Sequence, residues 1–169
     1  MKILIFVGDE YEDLEVQYPR LRLREAGFEV VLAGPGAGVL YHGKHGYPVT
    51  SDAAIADLDP GRFDGLVIPG GWLPDRLRRD PRVLALTKAI HDAHKLVASI
   101  CHGPWVDISA RIVKGYRYTS SPAIRDDLEN AGATWTDQPV VIDRNRVSSR
   151  RPDDLPEFAR AILGWFAAR

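Results

Sequence analysis

Hydrophobic residues along this chain gather in short unbroken runs rather than in strict alternation with polar ones. Four runs stand out: ILIFV (3–7), FEVVLA (28–33), FDGLVIP (63–69) and LVASIC (96–101). Continuous apolar runs of this length are typical of strands buried on both faces of a parallel sheet. The pattern therefore predicts buried strands with other elements connecting them.

Two of the intervening segments show helix signals. Segment 13–27 ends at Gly27, a residue typical of helix C-termini, and segment 80–94 opens with the N-cap residue Asp80. The apolar face expected for the first helix consists of Leu14, Tyr18, Leu21 and Ala26. Strand–helix–strand repetition of this kind predicts a doubly wound α/β sandwich.

The remaining segments are less regular. Turn residues surround two short possible strands within 34–62, which indicates a hairpin on the sheet edge. Further on, the pattern predicts a helix over 123–132, strands at VVI and RVSS, and a final helix. One apolar stripe of that final helix consists of Leu155, Phe158, Ile162, Trp165 and Phe166. Without a linker or repeat, residues 1–169 are expected to form a single domain.

Bulk properties narrow the class of protein. A net charge of −1 gives no basic field for nucleic acid or an anionic membrane. The single cysteine cannot form an internal disulfide, and no apolar run approaches the roughly 20 residues that span a bilayer. We therefore expect a cytoplasmic enzyme or binding protein with no nucleic-acid or membrane partner.

The cysteine lies in VASICHGPW (97–105), at the carboxyl end of an apolar run. Active groups of open α/β sheets gather at such strand ends. His102, Gly103 and Pro104 can turn the chain sharply into a helix, Gly103 by allowing unusual backbone angles, which is the layout of a nucleophile elbow. The N-terminus of that helix is expected to lower the pKa of the Cys101 thiol. A buried structural cysteine is the alternative.

Two other strand ends carry matching chemistry. PGGW (69–72) offers backbone N–H groups without bulky cover, suited to an oxyanion hole, and GDEYEDLE (8–15) supplies carboxylates.

Two further motifs are interpreted as ordinary loops rather than as binding sites. The histidines of YHGKHG (41–46) are interpreted as loop residues rather than metal ligands, and AGPGAGV (33–39) is not followed by the helix that a nucleotide site needs.

Taken together, ASICHGP, LVIPGG, EYEDLE, GKHGY and VSSRRPDDLPEF resemble the ThiJ/PfpI superfamily, in particular its PfpI-type intracellular protease branch. The resemblance runs in order from Met1 to the last helix. It implies a flavodoxin-like three-layer sandwich with a mostly parallel sheet, a cysteine on the elbow and a buried glutamate touching it. It also implies homodimers, with hexamers in some members.

The resemblance assigns roles residue by residue. Cys101 matches the nucleophile and His102 the adjacent histidine. Glu12 matches the glutamate that bonds the sulfur, and we expect it to be protonated beside a thiolate. The N–H groups of Gly70 and Gly71 match the oxyanion hole. Asp75, in PGGWLPD, stands where relatives carry an acidic residue that reaches the histidine of a neighbouring subunit. Asp107 and Ser121 depart from the family pattern.

The expected function is that of a cysteine-dependent hydrolase, either a peptidase or amidase, or a glyoxalase or deglycase acting on methylglyoxal and its protein adducts. This reaction is expected to need no metal and no organic cofactor. The alternative, from another class, is a stress-responsive redox sensor or chaperone-like protein that uses an oxidisable Cys101.

Overall fold

A computed structural model describes residues 1–169, and a seven-stranded sheet forms its centre. In spatial order the strands are β10 (Val140–Asp143), β11 (Arg146–Ser149), β7 (Leu96–Ile100), β6 (Gly65–Ile68), β1 (Lys2–Phe6), β2 (Glu29–Gly34) and β5 (Ala53–Ala54). All neighbours run parallel except β10 and β11, which pair antiparallel. The four apolar runs thus became β1, β2, β6 and β7, as predicted.

Helices cover both faces of this sheet. They are α1 (Asp13–Glu25), α2 (Leu73–Leu77), α3 (Pro81–Asp92), α4 (Pro104–Ser109), α5 (Arg125–Asn130) and α6 (Leu155–Ala167). Helix α1 packs against α6, whereas α4 packs against α2 and α3. The result is the expected three-layer α/β sandwich. None of these helices has the length and apolar character that crossing a membrane requires.

Two small strand pairs lie outside the central sheet. Strands β3 (Leu40–His42) and β4 (Pro48–Thr50) form an antiparallel ribbon, and β8 (Arg117–Tyr118) pairs in parallel with β9 (Thr134–Trp135). The expected hairpin exists, but its place at the sheet edge was wrong, because β5 occupies that edge. The ribbon instead lies over the loop after β1, where the Glu10 N–H donates to the His42 carbonyl at 2.8 Å.

The local signals at α3 and α6 are confirmed. The Asp80 side chain caps α3 by accepting the Arg82 N–H at 2.9 Å. All five residues of the stripe predicted for α6 are buried. They join β1, β6 and β7 in one core cluster of 34 buried residues.

The predicted apolar face of α1 was wrong. Leu14 and Leu21 are 56% and 63% exposed, and the buried side of the helix instead carries Glu15 and Val16. The regularly spaced apolar residues therefore face outward. The inward positions in the first turn of the helix instead carry carboxyl groups that belong to the site.

A buried polar cluster lies beneath α4. Asp107 is fully buried and accepts hydrogen bonds from the Ser99 hydroxyl at 2.7 Å and the Tyr118 hydroxyl at 3.3 Å. Burial raises the pKa of Asp107, and the charge of Arg146 opposes that rise. Arg146 is itself 1% exposed. The cluster ties the end of β7 to the helix that follows the cysteine.

Removing the Asp107 carboxyl group should leave the buried hydroxyls of Ser99 and Tyr118 without their acceptor. We expect Asp107→Ala to lower the free energy of unfolding by about 2 kcal/mol, within the range for buried polar groups left without a hydrogen-bond partner. Asp107→Asn should recover most of this loss, because its amide oxygen can accept from both hydroxyls. Urea unfolding measures both, with Asp92→Asn on the exposed end of α3 as control. An Asp107→Asn variant no more stable than Asp107→Ala would contradict the expectation.

Candidate active site

Strand β7 ends in a strained turn that presents the cysteine. Cys101 has φ +62°, in the left-handed region that non-glycine residues rarely adopt. Its N–H donates to the Ser149 carbonyl at 3.0 Å, and its carbonyl accepts the Ser121 N–H at 3.0 Å. Because neighbouring backbone holds both sides of the peptide, the turn keeps its conformation. The predicted nucleophile elbow is present.

Gly103 serves this elbow differently from the prediction. Its φ is −48°, which any residue can adopt, so it does not provide an unusual backbone angle. A Cβ at this position would lie 2.4 Å from the Ile68 carbonyl oxygen and 2.8 Å from that of Ile100. Glycine is needed here because the turn runs directly over the ends of two strands.

The loops after β1 and β6 are locked together beside the cysteine. The Glu12 N–H donates to the Gly70 carbonyl at 3.2 Å, and the Trp72 N–H donates to the Glu10 carbonyl at 2.9 Å. Gly71 has φ +74°, and a Cβ there would lie 2.4 Å from the Glu10 carbonyl oxygen. Only glycine allows this approach, which sets the start of α1 against the elbow.

Glu15 is the glutamate that meets the sulfur. It is fully buried, its Oε2 accepts the Gly70 N–H at 2.6 Å, and its carboxyl group lies within hydrogen-bonding reach of the Cys101 thiol. The other oxygen, Oε1, has no partner among the oxygen and nitrogen atoms of the chain. Burial, with a smaller contribution from Glu12, raises the pKa of Glu15 to about 8. The carboxyl group therefore keeps its proton at neutral pH.

The assignment of this contact to Glu12 was wrong. Glu12 precedes the helix, and its Oε2 lies 2.5 Å from the Lys44 Nζ. Glu15 follows one turn later and reaches the bottom of the site instead. The motif EYEDLE offers glutamates three residues apart on one side of the helix start, and the sequence does not show which one is deeper.

The thiol pKa also departs from expectation. Burial and the charge of Glu15 raise the pKa of Cys101 to about 12, although N–H groups of His102 and Gly71 and the charge of Lys44 oppose the rise. The contribution of Glu15 depends on its ionisation, since a protonated carboxyl group repels no thiolate. A proton held on Glu15 therefore favours the thiolate.

The oxyanion donors differ from those expected. The Gly70 N–H is already bonded to Glu15, so it is not available to a substrate oxygen. The N–H groups of Gly71 and His102 instead lie close enough to the sulfur to lower the pKa of Cys101. The N–H of the residue after the nucleophile is a usual oxyanion donor in elbow enzymes. Gly71 with His102 is thus the pair that the geometry offers.

His102 lies beside the sulfur and between two indoles. Its Nδ1 is 3.2 Å from the Cys101 Sγ, and its ring centroid is 4.9 Å from that of Trp105 and 6.2 Å from that of Trp72. Burial and the charge of Lys44 lower the pKa of His102. No carboxylate of the same chain bonds this ring, and Asp75 pairs with Arg79.

A small cavity opens onto the sulfur. Its volume is about 100 Å³, and its walls are formed by Lys44, Gly71, Trp72, Cys101 and His102. Sequence reasoning missed Lys44, although its motif GKHGY belongs to the family resemblance. The signal was weak because lysine in a turn is an ordinary surface residue.

One group of side chains near the cavity has metal-ligating chemistry. Atoms of Glu12, Asp13 and His45 lie within 4.8 Å of one another. Asp13, however, uses both oxygens to accept the N–H groups of His45 and Tyr47, at 2.9 and 2.8 Å, and Glu12 is paired with Lys44. Protein partners therefore account for this cluster.

Comparison with known proteins agrees with this geometry. The sequence model of the DJ-1/PfpI family matches residues 1–164, and the chain belongs to that family. Deglycase PfpI of Pyrococcus furiosus is 46% identical over 163 residues, covering 96% of this chain and 98% of the relative. Protein/nucleic acid deglycase 2 of Escherichia coli is 43% identical over 169 residues, covering 99% and 98%.

A solved structure shows the same fold. The two-domain protein of Anabaena variabilis, with DJ-1/ThiJ/PfpI-like and ferritin-like domains, superposes with a TM-score of 0.97 at 38% identity. The match covers 99% of this chain and 50% of that one. The family, the fold and the enzyme class that the sequence predicted are confirmed.

The raised pKa of Glu15 predicts a pH-dependent stability. Between pH 4.5, near the pKa of a free glutamate, and pH 8, the folded protein holds a proton that the unfolded chain has lost. The free energy of unfolding therefore falls as the pH rises through this window. Glutamine keeps both hydrogen-bonding roles without a charge. We expect Glu15→Gln to be more stable than wild type by roughly 4 kcal/mol at pH 8, because each unit of the pKa shift from 4.5 to about 8 is worth about 1.4 kcal/mol.

This gain should vanish as the pH approaches 4.5, where both states of the wild-type protein are protonated at Glu15. Urea unfolding at several pH values measures it. Glu25→Gln, at the exposed end of the same helix, is the control. A stability difference that is the same at pH 4.5 and pH 8 would show that Glu15 does not hold this proton.

Proposed function

We propose that this chain is a cysteine-dependent deglycase and glyoxalase, which converts small 2-oxoaldehydes such as methylglyoxal, and their adducts with amines, into 2-hydroxy acids. The observation that carries the proposal is the protonated, buried Glu15 against Cys101 at the end of a small cavity. The deglycase names of the two relatives support it.

The first step forms a carbon–sulfur bond. His102 is neutral because its pKa is lowered, so its Nδ1, 3.2 Å from the sulfur, can take the thiol proton. The sulfur attacks the aldehyde carbon, and the carbonyl oxygen takes up the electron pair. The N–H groups of Gly71 and His102 stabilise this oxygen until it is protonated to a thiohemiacetal. With an amine adduct, the amine leaves with the thiol proton and the same thiohemiacetal forms.

The second step moves hydrogen within the adduct. A proton leaves the former aldehyde carbon, and a proton returns to the neighbouring ketone carbon, which converts the thiohemiacetal into the thioester of a 2-hydroxy acid. This shift needs one group that both gives and takes a proton near neutral pH. Glu15, with a pKa of about 8, starts as the acid and gives its proton to the alkoxide oxygen in the first step. As the carboxylate it then takes the proton from the former aldehyde carbon and returns it to the neighbouring carbon.

Water completes the reaction by hydrolysing the thioester. The 2-hydroxy acid leaves, and the thiol is restored. Methylglyoxal plus water thus gives lactate, and the adduct plus water gives lactate and the free amine. No outside oxidant or reductant enters, because the hydrogen shift oxidises one carbon and reduces its neighbour.

The same geometry weighs against the peptidase alternative. A cavity of about 100 Å³ holds a three-carbon group, whereas a peptidase must also seat residues on both sides of the cleaved bond. The redox-sensor alternative requires the same thiolate that attacks the substrate, so turnover of dicarbonyls, rather than the thiol pKa, separates it from the proposed reaction.

Substitution of the two central groups tests the reaction. We expect Cys101→Ala to lose methylglyoxal consumption and recovery of free amine from a methylglyoxal adduct of N-acetyl-lysine. Glu15→Gln should keep the fold and lower kcat by about 100-fold or more, the range for loss of a positioned acid–base group. In the wild type, kcat should fall above about pH 8, where Glu15 loses its proton.

Assays of dicarbonyl loss and of amine recovery read both activities, with Glu25→Gln as control. A fluorogenic peptide assayed in parallel tests the peptidase alternative. Equal methylglyoxal consumption by wild type and Cys101→Ala would refute the proposed reaction.

We also propose that the chain acts as a homo-oligomer, as a dimer or a hexamer. The exposed apolar stripe on α1 supports this: Leu14, Tyr18 and Leu21 lie at i, i+4 and i+7 and are 56%, 38% and 63% exposed. His102 lacks a carboxylate partner within its own chain, which leaves room for Asp75 of the partner subunit to orient the ring.

Light scattering on a size-exclusion column measures the assembly. We expect the wild type to elute as a dimer or larger, and Leu14→Asn with Leu21→Asn to weaken association, because two exposed apolar contacts are replaced by polar groups. Ile142→Asn, at another exposed apolar position, is the matched control. A monomeric wild type would contradict the proposal and exclude a role for Asp75 across an interface.

A further inference from the structure

One charged side chain that lines the cavity has no role in the proposed reaction. Lys44 lines the same small cavity as Cys101 and His102, and it is the cation among its five lining residues. Its side chain is 38% exposed, so it reaches the cavity mouth from the solvent side. Unlike an ordinary surface lysine, this one is fixed by buried groups.

The turn that carries Lys44 is held from below. The Asp13 carboxylate, 7% exposed, accepts the N–H groups of His45 and Tyr47, and the Lys44 N–H donates to the Tyr11 carbonyl at 2.9 Å. A Cβ on Gly43 would lie 2.3 Å from an Asp13 oxygen. The backbone around Lys44 is therefore fastened to the first turn of α1, which also carries Glu15.

The ammonium group is held as well. Glu12 is 4% exposed, and its Oε2 lies 2.5 Å from the Lys44 Nζ. A carboxylate in this position orients the lysine and neutralises part of its charge. The positive potential that Lys44 produces in the cavity is thus reduced by the negative charge of the neighbouring Glu12.

We propose that Lys44 is a substrate-contact residue that stabilises negative charge on the Cys101 sulfur and on oxygen atoms of its adducts, and that Glu12 positions this cation and moderates its strength. The inference deepens the proposed function, because it concerns the same cavity, and it names the ligand chemistry as anionic. The sulfur before attack, the alkoxide after attack and the carboxylate of the product all carry the charge that a cation favours.

The electrostatics of the neighbours agree with this placement. The charge of Lys44 lowers the pKa of the His102 ring and opposes the rise in the pKa of the Cys101 thiol. Both effects require the ammonium group to be near the reacting atoms. At the effective dielectric of partly buried sites, charges a few ångströms apart interact by a few kcal/mol, enough for a tenfold change in thiolate population.

Alkylation of the thiol tests this without any turnover. Cys101 is the only cysteine, so intact mass after iodoacetamide treatment reports this thiol alone. We expect Lys44→Met to slow alkylation at pH 8 by about tenfold, the effect of one pKa unit. Glu12→Gln should speed it by about threefold, because the lysine charge is no longer neutralised. Lys44→Arg should stay within about threefold of wild type, since the charge is kept.

The opposite signs of these two effects are the critical result. A merely structural role for the Glu12–Lys44 pair would give the same direction for both substitutions. The exposed pair Lys88 and Asp92 provides matched controls, Lys88→Met and Asp92→Asn, which should leave the rate unchanged. Wild-type reactivity in Lys44→Met, or no acceleration in Glu12→Gln, would overturn the proposal.

An anionic probe tests the contact with substrate. Iodoacetate carries a carboxylate where iodoacetamide is neutral, so a cation in the cavity favours it. We expect the ratio of the iodoacetate rate to the iodoacetamide rate to fall several-fold in Lys44→Met, and an unchanged ratio would overturn the contact. Because no catalysis is needed, these rates decide the role of Lys44 even if methylglyoxal proves not to be a substrate.

Discussion

The hydrogen bond from the Gly70 N–H to Glu15 is the interaction on which the site depends. Its length is 2.6 Å, and it joins the loop after β6 to the first turn of α1 at full burial. A Cβ on residue 70 would lie 2.6 Å from the Cys101 Cβ and 2.7 Å from Glu15 Oε2. Glycine is therefore required where the three strand ends converge. The bond fixes the carboxyl group, and burial keeps it protonated beside the sulfur.

This hydrogen bond also decides which groups remain free to act as oxyanion donors and which glutamate pairs with Lys44. Because the Gly70 N–H is bonded to Glu15, the proposed oxyanion donors are the N–H groups of Gly71 and His102. Glu15 lies beside the sulfur, and Glu12, one turn earlier, pairs with Lys44 instead. The reactivity of the thiol then depends on a proton held next to it more than on the helix dipole that sequence reasoning emphasised.

Sequence reasoning located the site well and its contacts less well. Continuous apolar runs identify β1, β2, β6 and β7, since strands buried on both faces need them. Parallel strands bring their carboxyl ends together, so Cys101, the PGG loop and the acidic segment were expected to meet. Which glutamate lies deepest depends on where α1 begins, and a shift of one turn separates Glu12 from Glu15. The outward face of α1 was misread because an exposed apolar stripe has the same spacing as a buried one.

Two glutamates three residues apart thus have different electrostatic environments. Glu15 is fully buried without a cation in contact, and its lowest-energy state at neutral pH is the uncharged acid. Glu12 is nearly as buried, but its Oε2 lies 2.5 Å from the ammonium group of Lys44. A proton donor and a carboxyl group paired with a lysine therefore lie at the start of one helix, close to the thiol. If both glutamates were ionised and unpaired, their negative charges would repel the Cys101 thiolate. The proposed roles of Lys44 and of the Glu15 proton are therefore alike, because each removes one of these negative charges from beside the sulfur.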